Sequence, residues 1–226
     1  NFGCKTIVFS SSATVYGENS ARLISESAQV KPNTPYGETK IAVEKILKDI
    51  FNSSKSSWKI ANLRYFNPIG AHETGLIGEC PLNRPNNIFP LICRVAQGKL
   101  HNLKIYGNDW PTPDGTGVRD YIHIMDLADA HCSALNFLIS NKPQVLDLNI
   151  GTGIGTSVLE LVEKFIQVNK CSISYEFSSK RLGDLPFVVA DNKKALSTLN
   201  WKPRRNLEDM CRDGWKWQLL NPNGFL

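Results

Sequence analysis

The sequence lacks the features that would indicate a membrane span, a metal centre or a nucleic-acid surface. It has no apolar run of about 18 residues, the length that a membrane-spanning helix needs. Its six cysteines stand singly, and its four histidines do not follow the spacing of zinc ligands. The basic residues are scattered and are not interleaved with aromatic residues. With no signal peptide in view, we expect a cytoplasmic protein with reduced thiols, no metal, no membrane association and no nucleic-acid partner.

A glycine-rich phosphate-binding turn is also missing from the start of the sequence. A doubly wound sheet carries such a turn after its first strand, and no strand and turn precede Thr6. The run Gly151–Ser157 (GTGIGTS) imitates the G-x-G-x-x-G pattern, but Thr156 replaces its third glycine. We interpret this run as a tight turn in which Thr156 or Ser157 caps a helix. We expect the chain to be the C-terminal part of a longer protein whose N-terminal part carries the phosphate-binding turn.

What is present predicts an α/β protein. The 226 residues, 42% of them hydrophobic, can bury the core of one domain or of two closely joined ones. Apolar strands at 6–9, 58–65 and 145–150 alternate with segments of helical periodicity. Such an order is typical of a doubly wound, Rossmann-like parallel sheet. The formal charge of +5 is mild and suits a protein that handles a small anionic molecule.

Two local expectations concern individual helices. The helix at 36–51 should carry a Glu44–Lys48 pair on its polar side. Asp126 should cap the helix that follows it, and an asparagine such as Asn87 at a helix start is usually a cap.

One stretch carries side chains that can move a proton. The strand Thr6–Phe9 leads to Ser12 at its carboxyl end, where open α/β sheets bind ligands. The next helix presents Tyr36 and Lys40 four residues apart on one face. Ionising a phenol at about pH 7 costs about 4 kcal/mol, and a cation about 4 Å away supplies attraction of that order at an effective dielectric constant of about 20. We therefore predict that Tyr36 is a base assisted by Lys40, and that Ser12 holds a substrate hydroxyl.

A tyrosine and a lysine four residues apart also occur on many helices without a catalytic role, but here their context is specific. The segments Ser10–Gly17 (SSSATVYG) and Tyr36–Lys40 (YGETK) resemble the extended short-chain dehydrogenase/reductase family, and within it the enzymes that epimerise UDP-hexoses at C4. The resemblance covers essentially the whole chain. It implies a Rossmann-like domain with a smaller mixed α/β substrate-binding lobe, bound NAD, a UDP-sugar substrate, hydride transfer from C4, a 4-keto intermediate and hydride return.

The resemblance also implies a set of binding residues. Ser12, Tyr36, Lys40 and Phe66 would contact the nicotinamide end of NAD. The residues that would contact the UDP-sugar are Asn67, Asn87, Ile88, Tyr106, Arg119, Arg181, Asp184 and Val188. Chemistry supports parts of this set, because arginine forks onto phosphate oxygens and an aromatic ring such as Tyr106 suits a uracil. Val188 would stand at a gate near the sugar, where a small side chain leaves room for an N-acetyl group.

For the domains, we expect residues 1–66 to form the second half of the NAD-binding Rossmann domain. Residues 67–226 would be mainly the substrate-binding lobe, with 118–150 returning partly to the Rossmann sheet. The resemblance implies a homodimer of the full-length protein, formed through a helix pair that includes Tyr36–Phe51. The chain by itself would be inactive, because it lacks the pyrophosphate site of NAD.

Two other functions remain open at this point. A nucleotide-sugar 4,6-dehydratase of the same family would need an acid pair after the strand-end hydroxyl, whereas this sequence has Ser11-Ser12-Ala13. That departure favours the epimerase. A non-catalytic fragment that binds nucleotide sugars is the alternative from another class.

Overall fold

A computed structural model describes residues 3–19, 21–53, 57–81 and 85–225. Its strands are β1 (Thr6–Ser12), β2 (Lys59–Tyr65), β3 (Asn67–Ile69), β4 (Leu103–Tyr106), β5 (Val118–Arg119), β6 (Tyr121–His123), β7 (Gln144–Ile150), β8 (Thr156–Ser157), β9 (Tyr175–Ser178) and β10 (Phe187–Val188). Its α-helices are α1 (Pro35–Ser53), α2 (Ile88–Ala96), α3 (Ile124–Ser140), α4 (Val158–Asn169), α5 (Lys193–Leu199) and α6 (Leu207–Leu220). The chain forms two compact units.

The first unit comprises Asn1–Phe66, Asp126–Ile154 and Val189–Pro203. Its sheet has the order β1-β2-β7, and both strand pairs are parallel. Five consecutive residues of β2 are buried, as expected for the central strand of a parallel sheet. The sheet and its helices confirm the predicted Rossmann-like α/β class.

The segment Val189–Pro203 belongs to the first unit, whereas the sequence places it in the substrate-binding lobe. Side-chain hydrogen bonds to the backbone explain the difference. Asn192 Nδ2 donates to the Gly151 carbonyl at 2.8 Å, and Trp201 Nε1 donates to the Asp126 carbonyl at 3.1 Å. These contacts fasten the segment to residues around β7 and α3, and sequence periodicity does not detect such contacts.

The second unit comprises Asn67–Met125, Gly155–Val188 and Arg204–Leu226. It contains the mixed sheet β10-β5-β8 and the parallel pairs β3-β6 and β4-β9. Its core is formed by the apolar sides of α2 and α4 together with residues from β4, β6 and α6. Sheets of two or three strands are marginal alone, so helix packing has to supply much of the stability of this unit.

Two predicted helix caps have opposite outcomes. Ser157 caps α4, since its Oγ accepts from the Glu160 amide at 2.9 Å and Glu160 bonds back to the Ser157 amide, so that prediction is confirmed. Asp126 does not cap α3, because the helix already begins at Ile124. His123 is the residue before the helix, and its Nδ1 accepts from the Met125 amide at 3.0 Å. The His123 imidazole therefore caps the start of α3, a role that the sequence analysis assigned to the Asp126 carboxylate.

The thiols of the chain are all free. Burial raises the pKa of Cys211 to about 12 and also raises the pKa of Cys93. Both thiols are therefore protonated at neutral pH. Within the ranges that the structure describes, no three His, Cys, Asp or Glu side chains cluster as metal ligands, and no helix is both long and apolar enough to cross a bilayer.

Phe165 provides a test of the second unit's core. Its side chain is fully buried, and its ring lies edge-on to Phe89, 5.8 Å between centroids, and to Trp215, 5.6 Å between centroids. We expect Phe165→Ala to lower the free energy of unfolding by about 3–5 kcal/mol, because it removes these contacts and leaves a cavity. Denaturant titration would measure this. The exposed Glu163→Ala control on the same helix should change stability by less than about 0.5 kcal/mol, and an equal loss in both variants would contradict the assignment.

Candidate functional site

Ser12 lies at the carboxyl end of β1, with 7% of its surface exposed. Its Oγ accepts from the Thr14 amide at 3.2 Å and from Thr14 Oγ1 at 3.0 Å. These contacts hold the hydroxyl at the start of the 3₁₀ turn Ala13–Tyr16, for which Ser12 is the N-cap. Because the oxygen accepts in both contacts, its own proton is available to donate to a bound molecule.

Tyr36 and Lys40 lie one turn apart near the start of α1, as predicted. The Lys40 ammonium donates to the Ser10 carbonyl at 2.9 Å, and it lies 5.3 Å from the centroid of the Tyr36 ring. It lies at the same distance, 5.3 Å, from the Phe9 ring. The strand that carries Ser12 therefore also anchors the cation, and the Tyr36 side chain is half exposed beside it.

Gly37 explains how α1 approaches the turn after β1. A Cβ atom at this residue would lie 2.7 Å from the Thr14 carbonyl oxygen and 2.9 Å from Pro32 Cβ. Both distances are shorter than real Cβ contacts allow, and one of the atoms belongs to the backbone. Glycine after Tyr36 is thus a packing requirement of the approach between α1 and the turn after Ser12.

The predicted surface pair of Glu44 with Lys48 is wrong, because each side chain has another partner. The Glu44 side chain is completely buried and forms an ion pair with Arg64 of β2, Oε2 to NH2, at 2.6 Å. Lys48 instead contacts Asp147 of β7 at 2.8 Å. The sequence reasoning did not identify Arg64. A charged residue near the end of a largely apolar central strand was the available signal.

Phe66 follows β2 and is buried, with 6% of its surface exposed. Its amide donates to the Ile150 carbonyl at 3.1 Å, which ties the end of β2 to the end of β7. The four residues predicted for the nicotinamide end, Ser12, Tyr36, Lys40 and Phe66, thus all belong to the first unit and lie at or beside the carboxyl ends of its strands.

The eight residues predicted to bind the UDP-sugar all belong to the second unit. Tyr106 and Arg181 lie together, since the guanidinium carbon is 3.7 Å from the centroid of the tyrosine ring. Both residues line a cavity of about 580 Å³. The other residues that line it, which the sequence reasoning missed, are Pro85, Asn86, Leu91, Leu100, His101, Asn102, Lys104 and Glu176.

Arg119 and Asp184 form a second group in this unit. Arg119 NH1 donates to the Leu185 carbonyl at 2.8 Å, and its NH2 lies 4.0 Å from Asp184 Oδ1. Val188 is its neighbour in the β5–β10 register. Burial lowers the pKa of Arg119, since its guanidinium is largely withdrawn from water.

A single turn connects the two groups. The Asp184 amide donates to the Arg181 carbonyl at 3.2 Å, so Arg181 and Asp184 lie on the same turn. The turn that contributes Arg181 to the Tyr106 ring therefore also contributes Asp184 to Arg119.

Asn67, Asn87 and Ile88 lie on other elements of the second unit. Asn67 begins β3 next to Tyr121 of β6, and its amide donates to the Asp120 carbonyl at 3.0 Å. Asn87 precedes α2, but its side chain forms no capping hydrogen bond, so the usual structural explanation for an asparagine at this position does not apply. Ile88 is the first residue of α2 and is half-buried.

Comparison with known proteins shows extensive similarity. The sequence profile of a family described as GDP-mannose 4,6 dehydratase matches residues 2–214. The UDP-glucose 4-epimerase of Dictyostelium discoideum is 51% identical over 98% of this chain, and that of Bacillus subtilis is 48% identical over 99% of it. The chain belongs to this family, on its UDP-glucose 4-epimerase branch.

Solved structures of the epimerase branch superpose closely. The enzyme from Stenotrophomonas maltophila, solved with NAD and formylated UDP-arabinopyranose, has a TM-score of 0.94 and 46% identity over 97% of this chain. The enzyme from Bifidobacterium longum, solved with NAD⁺ and UDP, has a TM-score of 0.91 and 44% identity over 98% of it. The chain spans 65% of each of these two chains, and 64% and 66% of the Dictyostelium and Bacillus epimerases.

Gly37→Ala tests the packing of α1 at this site. An alanine in a helix is usually more stable than a glycine by about 0.5–1 kcal/mol. Here we expect the opposite sign, a loss of about 1–3 kcal/mol, because the added methyl group would clash with the Thr14 carbonyl. Thermal and denaturant unfolding would measure it, with the exposed Asp49→Ala on the same helix as the control. A stabilised Gly37→Ala variant would show that α1 lies farther from the turn.

Proposed function

We propose that the protein interconverts UDP-glucose and UDP-galactose by NAD-dependent epimerisation at C4, through a 4-keto sugar. One observation carries the proposal: the Lys40 ammonium is held on the Ser10 carbonyl beside the exposed Tyr36 ring, at the strand end that also presents Ser12. Relatives named UDP-glucose 4-epimerase, at 45–51% identity, support the reaction class.

The proton chemistry follows from these three side chains. A phenol that acts as a base near neutrality needs about 4 kcal/mol of stabilisation of its charged form, and a nearby ammonium provides attraction of that size. Lys40 supplies the ammonium, and its bond to the Ser10 carbonyl keeps it in place. Ser12 would donate to the 4-hydroxyl oxygen while Tyr36 takes the proton, and the same groups return the proton when the 4-keto sugar is reduced.

The described residues fit the nicotinamide end of NAD. Lys40 has three N–H groups, and its contact with Ser10 uses one of them, so two remain for ribose hydroxyls. Tyr36 and Phe66 would lie near the nicotinamide ring. When bound, NAD⁺ supplies the hydride acceptor and, after reduction, the hydride donor. The run Gly151–Ser157 does not suit the phosphates of NAD, because the N-terminus of α4 that follows it is already capped by Ser157 and Glu160.

The second unit would hold the UDP part of the substrate. The Tyr106 ring, on the wall of the 580 Å³ cavity, would stack on the uracil. Arg119 and Arg181 would bind the two phosphates, because guanidinium groups form paired hydrogen bonds to phosphate oxygens. Asp184 would accept from the ribose hydroxyls.

Three further residues would complete the substrate contacts. Asn67 would contact the sugar nucleotide. Asn87 and Ile88 would contact the phosphate and sugar side through amide and backbone groups.

The same proposal extends to domains and assembly. The first unit would be part of the NAD-binding domain, and the second unit would be the substrate-binding lobe. Exposed apolar side chains on α1 and α3, with Ile46 57% and Ile139 60% exposed, suit a homodimer that pairs these helices. We propose that the protein acts in the cytoplasm.

The dehydratase alternative is less well supported. The matched family profile carries a dehydratase name, but it describes the family as a whole. Elimination of water needs an acid next to the strand-end hydroxyl, and the turn that follows Ser12 is Ala13-Thr14-Val15-Tyr16. Without an acid in this turn, the residues support epimerisation.

Tyr36→Phe, made in the full-length protein that also carries the pyrophosphate site of NAD, tests the proposed base. We expect kcat to fall by a factor on the order of 10²–10⁴, because the phenolic oxygen would be absent. The affinity for UDP should not change, because the predicted UDP contacts come from other residues. Conversion of UDP-galactose to UDP-glucose can be followed with a coupled UDP-glucose dehydrogenase, and UDP binding by calorimetry.

Tyr175→Phe is the matched control, since Tyr175 is an exposed tyrosine on β9 with no proposed role. A Tyr36→Phe variant that epimerises at the wild-type rate would refute Tyr36 as the base. UDP binding without any turnover and without nicotinamide fluorescence in the purified wild-type protein would favour the non-catalytic alternative.

Val188→Tyr tests the proposed gate beside Arg119. We expect kcat/KM for UDP-N-acetylglucosamine to fall by more than about tenfold, because a large ring would occupy the space of the N-acetyl group. Turnover of UDP-glucose should change by less than about threefold. Val188→Ala is the control and should accept both substrates. Equal losses for both sugars in Val188→Tyr would argue against a gate.

A further inference from the structure

A buried polar network lies against α1, one turn beyond Lys40. The Glu44 carboxylate is inaccessible to solvent and accepts three hydrogen bonds: Ser11 Oγ at 2.5 Å, Arg64 Nε at 2.9 Å and Arg64 NH2 at 2.6 Å. Ser11 and Arg64 are themselves buried. One helical carboxylate is thus bound to two adjacent strands.

The network continues to the end of β7. Arg64 NH1 donates to the Tyr16 hydroxyl at 3.2 Å, and this hydroxyl donates to Asn149 Oδ1 at 2.6 Å. Burial raises the pKa of Tyr16 to about 12, so Tyr16 keeps its donor proton. Burial by itself would lower the pKa of Arg64, but hydrogen bonds to Glu44 outweigh it and the pKa is raised. Arg64 therefore keeps its charge in the interior.

Three further charged residues, Asp147, Lys48 and Glu26, lie around this network. Asp147 Oδ2 is 3.3 Å from Arg64 NH2 and 2.8 Å from Lys48 Nζ. The carboxylate of Glu26 accepts from the Asn149 amide at 2.8 Å. Asp147 thus also links Arg64 to Lys48 of α1, but Glu44 is the α1 residue that contacts Arg64 directly.

The position of Glu44 relates it to the proposed site. Tyr36, Lys40 and Glu44 follow one another at intervals of four residues on α1, so each lies about one turn from the next. Ser11 precedes Ser12, and Arg64 is the partner of Ser11 in the β1–β2 register. Through Ser11 and Arg64, Glu44 therefore contacts both the strand that carries Ser12 and its neighbour.

We propose that Glu44 and Arg64 are positioning residues, which hold α1 in the register that places Tyr36 and Lys40 beside Ser12. The inference rests on the proposed epimerase function. Buried ion pairs are often no more stabilising than apolar residues of similar size, so stability alone is a weak explanation for this pair. Two-point contact between a carboxylate and a guanidinium fixes orientation, whereas apolar side chains permit small rotations and slips.

The decisive variant replaces Glu44 together with Ser11 and Arg64, its two hydrogen-bond partners, so that neither charge of the ion pair is left buried alone. In Ser11→Ala/Glu44→Met/Arg64→Met we expect the thermal midpoint to stay close to that of the wild type. We expect kcat for 4-epimerisation to fall on the order of 10- to 100-fold, because the reacting groups are slightly misplaced, with little change in KM.

Arg64→Lys provides a second variant that keeps every charge but loses the two-point contact, and it should show the same split between kcat and KM. Asp49→Asn is the matched control, since it also changes an acid on α1 to an amide but at an exposed position, and its kcat should equal that of the wild type. A folded triple variant with wild-type kcat and KM would overturn the proposal.

Hydrogen exchange separates this inference from the proposed function. In the triple variant, the amides of residues 36–44 should exchange roughly tenfold faster than in the wild type, while the centre of β2 stays protected. If the full-length wild-type protein, with its pyrophosphate site for NAD, shows no epimerase activity, the proposed function fails, and the exchange result still decides whether the pair positions α1. Unchanged exchange in this segment would overturn the positioning role.

Discussion

The parallel alignment of β1, β2 and β7 is the constraint on which the first unit depends. The register places Ser12 beside Tyr65 and Tyr65 beside Ile150, so the three strands end at one edge of the sheet. Side chains that are far apart in sequence therefore meet there. The Lys40 bond to the Ser10 carbonyl and the Phe66 bond to the Ile150 carbonyl both join elements to this edge. The proximity of Ser12 to Lys40 is a consequence of strand direction and register.

The interior of this sheet contains buried polar and charged side chains. A central parallel strand is usually an apolar run, yet β2 carries the buried side chains of Asn62 and Arg64. Asn62 Nδ2 donates to Asp147 Oδ1 at 2.8 Å, and Arg64 is paired with Glu44. Removing one partner of such a pair costs about 3–5 kcal/mol, because the other charge stays buried. The network therefore limits which substitutions α1 and β2 tolerate.

Local rules account for where Ser12, Tyr36 and Lys40 lie, while their role in moving a proton stays a prediction. Strand direction places Ser12, and helical spacing aligns Tyr36 with Lys40. Glu44 shows where such rules fail. The spacing to Lys48 predicts a surface pair. The observed partner, Arg64, lies on a strand 20 residues further along the chain. No rule confined to one helix can identify it.

The other differences have the same origin. Asp126 has the residue type of a cap, yet His123 is the residue that precedes the helix, so the position of the helix start decides the cap. Val189–Pro203 has no periodicity that assigns it to a unit, and its hydrogen bonds to the Gly151 and Asp126 carbonyls make the assignment. Contacts distant in sequence thus determine what local patterns leave open.

In the second unit, Arg119 holds a turn in place and is also the residue proposed to bind a phosphate. Its hydrogen bond to the Leu185 carbonyl holds the turn that carries Arg181 and Asp184. Burial lowers the pKa of Arg119, and Asp184 at 4.0 Å only partly compensates for the lost hydration. A phosphate at this guanidinium would supply the missing negative charge. The guanidinium is thus already oriented and partly dehydrated, so phosphate binding there would require little reorganisation of the turn.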